Sequence, residues 1–451
     1  MKKSNSISYV VIILSFLVAC GDDSTSPEDT FIDDNYAQDF WESITQTLSG
    51  TVNALIRNTN GDLFAGTNES VELGQVGGIY RSSDNGTNWT KLNTGLESTS
   101  VTSFAINANG HIFAGTSDFY GTGLGIWRST DNGDNWTKIN NGLTNTAVRS
   151  LAINQIGDIF AGTEGGGVLK STNNGDSWTA VNTGLTTNLI YSLLINHAGD
   201  IFAGTGQGVF RSNNNGDNWT QVNTGLRITT MTFLAANSND DIFAGTQNFF
   251  GTGPAGVFRS TNNGDSWAEV TPDSSVWWAS SISINNDGHI YIGTVFSGVL
   301  RSTDNGDNWT KINTGLELFP DFFAPVLSLT LNSMGKLIAG SLSGSLYRST
   351  ETTTEIEEVS GESPKNFSLS QNFPNPFNPV TNIRYVLNQH TNVRLIIYDL
   401  KGREVKQLVN DFQGPGWKTV TWNASHVPSG MYFYRLTAGD FVQTRKMVLL
   451  K

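Results

Sequence analysis

The strongest constraint on this chain is a motif that returns at nearly constant intervals. The pattern Ser-x-Asp/Asn-x-Gly-x-x-Trp occurs six times, and its tryptophans are Trp89, Trp136, Trp178, Trp219, Trp267 and Trp309. Successive tryptophans lie 47, 42, 41, 48 and 42 residues apart. A second pattern, Phe-Ala-Gly-Thr, begins at Phe64 and recurs once per unit until a relaxed copy at Ile338, which makes seven units. A period in the forties with several short strands per unit predicts a β-propeller with one four-stranded blade per unit.

Four strands, A to D, can be placed in each unit. In the third unit they cover residues 148–154, 158–163, 167–172 and 178–185. The turn between strands C and D carries Asn-Gly, a strong hairpin signal because both residues tolerate a positive φ. The 48 glycines of the chain and the lack of long helical periodicity agree with an all-β fold.

The two ends of the array predict that the ring closes. The seventh unit lacks the Gly-x-x-Trp element and a clear strand D, whereas residues 40–48 look like a strand D without a blade. Trp41 lies 23 residues before Phe64, and the five later spacings of this kind are all 24. An N-terminal strand that completes the last blade would remove an exposed sheet edge. We therefore expect a seven-bladed β-propeller closed by an N-terminal strand and followed by a small Ig-like β-sandwich.

The repeated motif resembles the Asp-box (BNR) repeat of sialidases, xyloglucanase-type glycosidases, the sortilin luminal domain and photosystem II assembly-factor propellers. In those families it is a structural hairpin on the face away from the ligand site. The resemblance implies a scaffold role for Ser82, Asp84, Gly86, Trp89, Ser129, Asp131, Gly133, Trp136, Gly175, Trp178, Gly216, Trp219, Gly264, Trp267, Asp304, Gly306 and Trp309. By the same logic His111 and His289, and the arginines that recur in strand C, are structural residues and not metal ligands.

Function is expected where the repeat is broken. The distance from the Phe-Ala-Gly-Thr pattern to the next tryptophan varies from 17 to 25 residues, so the B–C loops vary in length. In a propeller these loops share one face with the D–A connections. Four segments on that face collect aromatic and acidic residues, namely 117–125, 247–256, 273–278 and 317–325.

Aromatic rings in these segments would suit recognition of a sugar or a peptide. The candidates are Phe119, Tyr120, Phe249, Phe250, Trp277, Trp278, Phe319, Phe322 and Phe323. The alternative is that these rings fill the central channel or cover loop backbone. Asp118, Asp273 and Asp321 are weak candidates for a carboxylate pair that would hydrolyse a glycosidic bond.

Other activities find less support in the sequence. A sialidase is disfavoured because no Arg-Ile-Pro occurs near the start of the array and because that fold has six blades. Arg57, Arg149 and Arg227 are too scattered to form a carboxylate-binding triad. No cofactor motif is present, no metal site is expected, and a net charge of −13 disfavours nucleic acid as a partner.

The N-terminus has the features of a targeting segment. Residues 1–20 read as a signal peptide, and Leu-Val-Ala-Cys, ending at Cys20, resembles the lipobox of bacterial lipoproteins. The resemblance implies acylation of Cys20, so a lipid anchor would be the only contact with a membrane. Residues 21–35 form an acidic tether, 36–350 the propeller and 351–366 an acidic linker.

The last segment, 367–451, opens with Asn-Phe-Pro-Asn-Pro-Phe-Asn-Pro and then alternates as strands. It is identified as a member of the type IX secretion (Por) C-terminal sorting domains, type A, on that opening and on "IYDLKGREV", "GMYFYRL" and "KMVLLK". The family implies export across the outer membrane by the type IX machinery. Type IX cargo usually carries an ordinary signal peptide, so the two ends disagree on which one is anchored.

Together these features predict an exported cell-surface or secreted propeller of a Gram-negative bacterium that binds a polysaccharide or a surface protein. We expect no catalysis. An Asp-box glycoside hydrolase and an envelope assembly factor are the alternatives.

Overall fold

A computed structural model describes residues 40–69, 76–97, 100–117, 123–227, 230–247, 255–271, 276, 278–319, 322–353, 367–369, 372, 375, 377–387, 389–414, 416–439 and 441–450. The chain divides into two compact units, Met1–Glu355 and Ile356–Lys451. Every regular element of the described residues is a β-strand. Among them, no helix is long and apolar enough to cross a membrane.

The first unit contains thirty strands in its described part. In chain order they are β1 (Trp41–Ser43), β2 (Thr51–Arg57), β3 (Leu63–Asn68), β4 (Gly78–Ser82), β5 (Thr90–Lys91), β6 (Val101–Ile106), β7 (Ile112–Thr116), β8 (Gly125–Ser129), β9 (Thr137–Lys138), β10 (Val148–Ile153), β11 (Ile159–Thr163), β12 (Val168–Ser171), β13 (Thr179–Ala180), β14 (Ile190–Ile195), β15 (Ile201–Thr205), β16 (Gly208–Ser212), β17 (Thr220–Gln221), β18 (Met231–Ala236), β19 (Ile242–Thr246), β20 (Val257–Ser260), β21 (Ala268–Glu269), β22 (Ala279–Ile284), β23 (Ile290–Thr294), β24 (Val299–Ser302), β25 (Thr310–Lys311), β26 (Glu317–Phe319), β27 (Phe322–Phe323), β28 (Val326–Leu331), β29 (Leu337–Ser341) and β30 (Leu346–Ser349).

Twenty-eight of these strands form seven four-stranded antiparallel sheets, the blades of a propeller, and β26 and β27 form a separate two-stranded hairpin. Blades 1 to 6 each take four consecutive strands, beginning at β2, β6, β10, β14, β18 and β22. Blade 7 combines β28, β29 and β30 with β1 from the other end of the chain. The first strands of successive blades pack side by side in a closed ring, β28 against β2 included. The predicted seven-bladed propeller closed by an N-terminal strand is confirmed.

The second strand of each blade is buried on both faces because it lies inside its own sheet and between two neighbouring blades. All five residues of β7, β11 and β15 are buried. The glycine in this strand permits close packing of the next blade, since a Cβ on Gly66 would stand 2.6 Å from a methyl carbon of Val101. A strand covered on both faces reads as a continuous apolar run without alternation.

The ring is closed by backbone and side-chain bonds of the N-terminal strand. Strand β1 pairs with β30 over Trp41↔Ser349, Glu42↔Arg348 and Ser43↔Tyr347. The amide of Trp41 donates to the carbonyl of Thr314 in blade 6 at 2.9 Å. Blade 7 has no turn motif. At most other junctions an asparagine of the A–B turn donates to a motif asparagine of a neighbouring turn, whereas Asn285 Nδ2 donates to the carbonyl of Thr353.

The outermost strands are shorter than the eight residues expected from the sequence. In blade 3, strand β13 has two residues, because beyond it a side chain, and not the backbone, makes the hydrogen bonds to strand C. Asn182 Oδ1 accepts from the amide of Val168 at 2.8 Å, and its Nδ2 donates to the carbonyl of Gly166 at 2.9 Å. The same bond to strand C is made by Asn93, Asn140, Asn223 and Asn313.

The second unit is a two-sheet β-sandwich, as predicted. Its strands are β31 (Ser368–Leu369), β32 (Val380–Leu387), β33 (Thr391–Tyr398), β34 (Glu404–Gln413), β35 (Gly416–Asn423), β36 (Gly430–Ala438) and β37 (Phe441–Leu449). The sheet orders are β31-β32-β35 and β34-β33-β36-β37. Between them lies a core that includes Phe377, Trp422 and Tyr434.

The Pro-rich opening of this unit is bonded to its last strands. The amide of Asn372 donates to the hydroxyl oxygen of Tyr434 at 2.7 Å, and Asn375 Oδ1 accepts from the amide of Val448 at 2.8 Å. Burial raises the pKa of Tyr434 to about 12. These bonds therefore hold the first residues of the sandwich against its last two strands, β36 and β37.

Candidate functional site: the loop face of the propeller

The two faces of the propeller differ in chemistry. One, here called the turn face, carries the A–B and C–D turns. The other, the loop face, carries the B–C and D–A connections. The turn face holds the repeated polar residues, and the loop face holds the segments in which the repeat is broken.

Each turn motif on the turn face is closed by its own side chains. In blade 2, Ser129 Oγ accepts from the amide of Gly133 at 2.8 Å and donates to Asp131 Oδ1 at 2.7 Å. The same Oδ1 accepts from the amide of Asn135 at 2.9 Å, and Oδ2 accepts from Asn135 Nδ2 at 2.8 Å. These bonds, above all that from the Asn135 side chain, hold the pKa of Asp131 below its usual value.

Asp84 and Asp304 make the same bonds in blades 1 and 6. Burial acts to raise the pKa of both carboxyl groups, but bonds from Asn88 and Asn308 outweigh it, so each pKa is lowered. Blades 3, 4 and 5 place asparagine at this position and keep the bond from the motif serine. An ionised carboxylate is therefore not needed for the turn to form.

The turn motifs also join neighbouring blades. Arg128 Nη1 donates to the carbonyl of Asn174 in the next blade and to Asp176 Oδ1, both at 2.7 Å. Arg81, Lys170, Arg211 and Arg259 reach the equivalent carbonyl of their next blade. The accepting asparagines have φ near +60°, a conformation that turns their carbonyls toward the neighbour.

His111 takes part in this network as a turn residue. Its Nδ1 lies 3.1 Å from Nδ2 of the motif asparagine Asn174. In other blades the Nδ2 of the motif asparagine donates to an aspartate at the position of His111, namely Asp62, Asp158, Asp200 or Asp241. His289 holds the same turn position in blade 6, and its amide donates to Asn285 Oδ1 at 2.8 Å. No group of three or more metal-ligating side chains is present among the described residues.

On the loop face, each innermost strand carries a bulge near its start, at the third residue in blade 1 and at the second residue in the other six blades. In blade 3 the register shifts between Val148 and Ser150, which leaves Arg149 outside the ladder. Arg149 Nε donates to Glu164 Oε1 at 2.5 Å. Arg227 makes a separate pair with Glu269, between blades 4 and 5. The two arginines are thus neutralised in different blades, as their scatter in the sequence suggested.

Between the innermost strands lies a cavity of about 270 Å³. Its lining comes from blades 1, 2, 5, 6 and 7 and includes Asn53, Phe104, Phe233, Ser281 and Leu329. Within the described part of the chain, Asn53 Nδ2 and Ser281 Oγ are buried without a hydrogen-bond partner. The cavity is therefore lined by polar as well as apolar groups.

Four of the aromatic candidates lie among the described residues of this face, namely Trp278, Phe319, Phe322 and Phe323. Phe323 is partly buried in the hairpin β26–β27, where Phe319 and Phe322 are paired by their backbones. This hairpin accounts for the spacing of 29 residues between Trp309 and Ile338. Trp278 is also partly buried, and its backbone bridges to Gln247 of blade 5.

The remaining candidates lie outside the described residues. They are Asp118, Phe119, Tyr120, Phe249, Phe250, Asp273, Trp277 and Asp321, together with Cys20 at the N-terminus. Three further residues of this face, Val76, Leu124 and Phe296, were not predicted from the sequence; they are 55%, 40% and 49% exposed in the B–C loops of blades 1, 2 and 6. A single apolar residue in a polar loop carries no periodic signal that could have revealed it.

The fold and its unequal faces define a β-propeller whose repeated side chains hold the ring together. Residues 92–325 match the DUF6242 beta propeller domain, and residues 371–450 match the secretion system C-terminal sorting domain. The first match covers just over half of the chain, which therefore belongs to the DUF6242 propeller family. With a type IX sorting domain at its end, it is a secreted or cell-surface protein. No curated protein matches it.

Solved structures share the fold at low sequence identity. An extracellular domain assigned to a hybrid two-component system of B. thetaiotaomicron (BT3049) is 15% identical with a TM-score of 0.56, over 92% of this chain and 58% of that one. The GH74 xyloglucanase from Xanthomonas campestris is 16% identical with a TM-score of 0.53, over 68% and 52%.

YCF48 bound to D1 peptide is 13% identical with a TM-score of 0.53, over 70% of this chain and 98% of that one. The chain spans about three fifths of the length of the first structures it matches. These likenesses establish the propeller fold alone.

Proposed function

We propose that this protein is a surface-exposed binding module that holds a polysaccharide or a surface protein on its loop face and performs no turnover. The observation that carries the proposal is the division between the two faces. On the turn face the described arginines and aspartates are largely engaged with one another across blade junctions. The loop face combines variable loops, exposed apolar side chains and the cavity.

The turn motif fits this proposal as an Asp-box scaffold. Its serine and aspartate bond within the turn, and its tryptophan is buried in every copy. Trp178 Nε1 donates to the carbonyl of Ile139 in the preceding blade at 2.8 Å. Side chains that bond within the turn or to the neighbouring blade serve the scaffold, which supports ligand recognition by the loop face.

The proposal includes attachment to the membrane by acyl chains on Cys20. Labelling with a fatty-acid analogue would give a labelled protein in the wild type and none in a Cys20→Ser variant. Equal labelling of both would rule out this anchor and leave the sorting domain as the route of surface attachment.

The function is tested by incubating the purified protein with a glycan and polysaccharide array and with a peptide array, while released reducing sugar is measured. We expect binding in one array and no release of sugar. Release would establish the glycoside hydrolase instead and direct attention to Asp118, Asp273 and Asp321. The absence of binding in both arrays would contradict recognition of a polysaccharide or of an extended protein segment and would favour an assembly factor that recognises a folded partner.

A further inference from the structure

The two parts of the chain carry charge of opposite sign. Residues 367–451 contain ten lysines and arginines but four aspartates and glutamates, which gives them a net charge of +6. The whole chain has a net charge of −13, so the residues before the sandwich are strongly acidic. Charges of one sign that share a surface attract partners of the opposite sign. The cations of the sandwich therefore indicate an anionic partner where they lie together.

Three strands of the larger sheet, β33, β36 and β37, present one side to the core and the other to solvent. Their burial alternates along each strand, as expected for a sheet that is covered on one side. We call the outward side of these three strands the basic sheet face. It carries three exposed cations, Arg394, Arg435 and Lys446.

These cations are close neighbours on the sheet. Lys446 lies opposite Phe433, and Arg435 follows Phe433 on the same side of β36. Arg435 lies opposite Ile396 in β33, two residues after Arg394 on the same side. Directly opposed side chains on one face of a sheet have Cβ atoms about 5 Å apart. The register therefore places the cations and apolar side chains on one continuous surface.

Neutral neighbours hold Arg435 in place. Its Nε donates to Thr444 Oγ1 at 3.1 Å, and its guanidinium carbon lies 5.3 Å from the ring centre of Tyr398. Contact with an aromatic ring positions a guanidinium without neutralising its charge. Arg435 is therefore oriented and still positively charged.

The carboxylates of the sandwich do little to neutralise this face. Asp399 pairs with Arg403 at 2.7 Å in the turn after β33. Of the described carboxylates of the sandwich, only Glu404 is paired with an outward-facing residue, in the edge strand β34. Neither Arg394 nor Arg435 forms an ion pair with any residue that the structure describes. The face thus has an excess of positive charge.

Apolar side chains are exposed among these cations. Val442 is 58% exposed and Met431 39%, and both point outward from the sheet. Cations beside exposed apolar groups are typical of a surface that lies on a membrane, where the apolar groups enter the headgroup region and the cations are attracted to anionic lipids. A soluble polyanion would engage the cations but would leave Val442 and Met431 in water.

We propose that the basic sheet face binds the anionic surface of a lipid membrane. Arg394, Arg435 and Lys446 contact lipid phosphates, and Val442 enters between the headgroups. This contact is additional to the lipid anchor expected at Cys20 and does not depend on the ligand of the loop face. It lays the sandwich on the membrane through its larger sheet.

The test uses residues 21–451, so that neither a signal peptide nor an acyl chain contributes to binding. Sedimentation with vesicles of phosphatidylcholine, with or without phosphatidylglycerol, measures the affinity, and dextran sulfate serves as a soluble polyanion. Arg394→Gln, Arg435→Gln and Val442→Thr alter the face. Lys418→Gln is the matched control, because it removes a cation from β35 in the other sheet. Thermal melting checks that all four variants remain folded.

We expect binding to the anionic vesicles alone, and salt should weaken it because exposed charges are screened. Each arginine variant should lose about fivefold in affinity, the contribution of one cation at an anionic membrane surface. Val442→Thr should lose about threefold, because it replaces a methyl group with a hydroxyl. Lys418→Gln should bind as the wild type does.

Three results would overturn the inference. The first is the absence of binding to anionic vesicles or equal binding to neutral ones. The second is an equal loss with Lys418→Gln, which would assign the binding to the charge of the whole unit. The third is binding of dextran sulfate and vesicles that both depend on Arg394 and Arg435 but not on Val442, which would identify a site for soluble polyanions. None of these results bears on the ligand of the loop face.

Discussion

The indole Nε1 of Trp41 donates a hydrogen bond to the carbonyl oxygen of Ile312 at 2.5 Å, across the junction of blades 7 and 6. Trp178, Trp219, Trp267 and Trp309 make the equivalent bond to their preceding blades. Trp41 thus bonds blade 7 to blade 6 in the way that these motif tryptophans bond their own blades to the preceding ones, although most of the propeller sequence separates Trp41 from blade 6.

Trp41→Ala should weaken the closed ring. The side chain is 1% exposed, and truncating a buried tryptophan costs about 3–5 kcal/mol. Trp41→Phe keeps most of the packing but loses the N–H donor, so it should cost less, on the order of 1–2 kcal/mol. Chemical denaturation followed by tryptophan fluorescence measures both. Equal stability of Trp41→Ala and the wild type would show that the Trp41 side chain is dispensable for closure.

The asparagine-containing turns of blades 3 and 5 differ from the aspartate-containing turns in a second residue, which is serine instead of asparagine. Asp131 Oδ2 accepts from Asn135, whereas Asn173 Nδ2 donates to Ser177 Oγ at 2.9 Å. Asp131→Asn alone would set two amide donors against each other and should cost about 0.5–1 kcal/mol. Adding Asn135→Ser should recover most of that loss, because it recreates the pair of blade 3. The free energies of unfolding of both single variants and the double variant provide the measurement, and purely additive effects would contradict the pairing.

The ring and its closure could be predicted because they depend on spacing, and spacing is visible in a sequence. The position of Trp41 before Phe64 matched the other blades to within one residue. The length of strand D could not be predicted in this way. Asn182 ends the strand because its side chain accepts the hydrogen bond from strand C that a backbone carbonyl would accept. The periodicity of apolar residues carries no information on this exchange of backbone for side chain.

The loop face could be predicted as the irregular face because loop length is visible in the sequence, but the exposure of its aliphatic residues could not. Leu124 and Val76 are exposed because their neighbours in the folded ring leave them uncovered. The cavity could not be foreseen either, since Asn53 and Ser281 are far apart in the sequence and both line it only in the closed ring.

The carboxylates of the turn motif should make the propeller sensitive to acid. The pKa of each of Asp84, Asp131 and Asp304 is lower in the folded state than the ordinary value of 3.8. Such a group stabilises the fold above its unfolded pKa, and this stabilisation is lost as the pH falls through the folded pKa. We therefore expect a fall in melting temperature below about pH 4.

The control for this prediction carries asparagine at all three positions, with serine four residues later in each turn. Its melting temperature should fall less steeply over the same pH range, because these carboxylates no longer titrate. A slope equal to that of the wild type would assign the acid sensitivity to other groups.

Gly133 illustrates why the turn motif requires glycine at its fifth position. Its φ is +92°, and a Cβ there would lie 2.9 Å from Cε1 of Phe64 in the preceding blade. Gly110 has a φ of +76°, but a Cβ there would meet nothing within 4 Å. Gly133→Ala should therefore combine backbone strain with overpacking and cost about 2–4 kcal/mol, whereas Gly110→Ala should cost only about 1 kcal/mol. Chemical denaturation of the two variants separates these effects, and an equal loss would mean that the blade junction relaxes around the added methyl group.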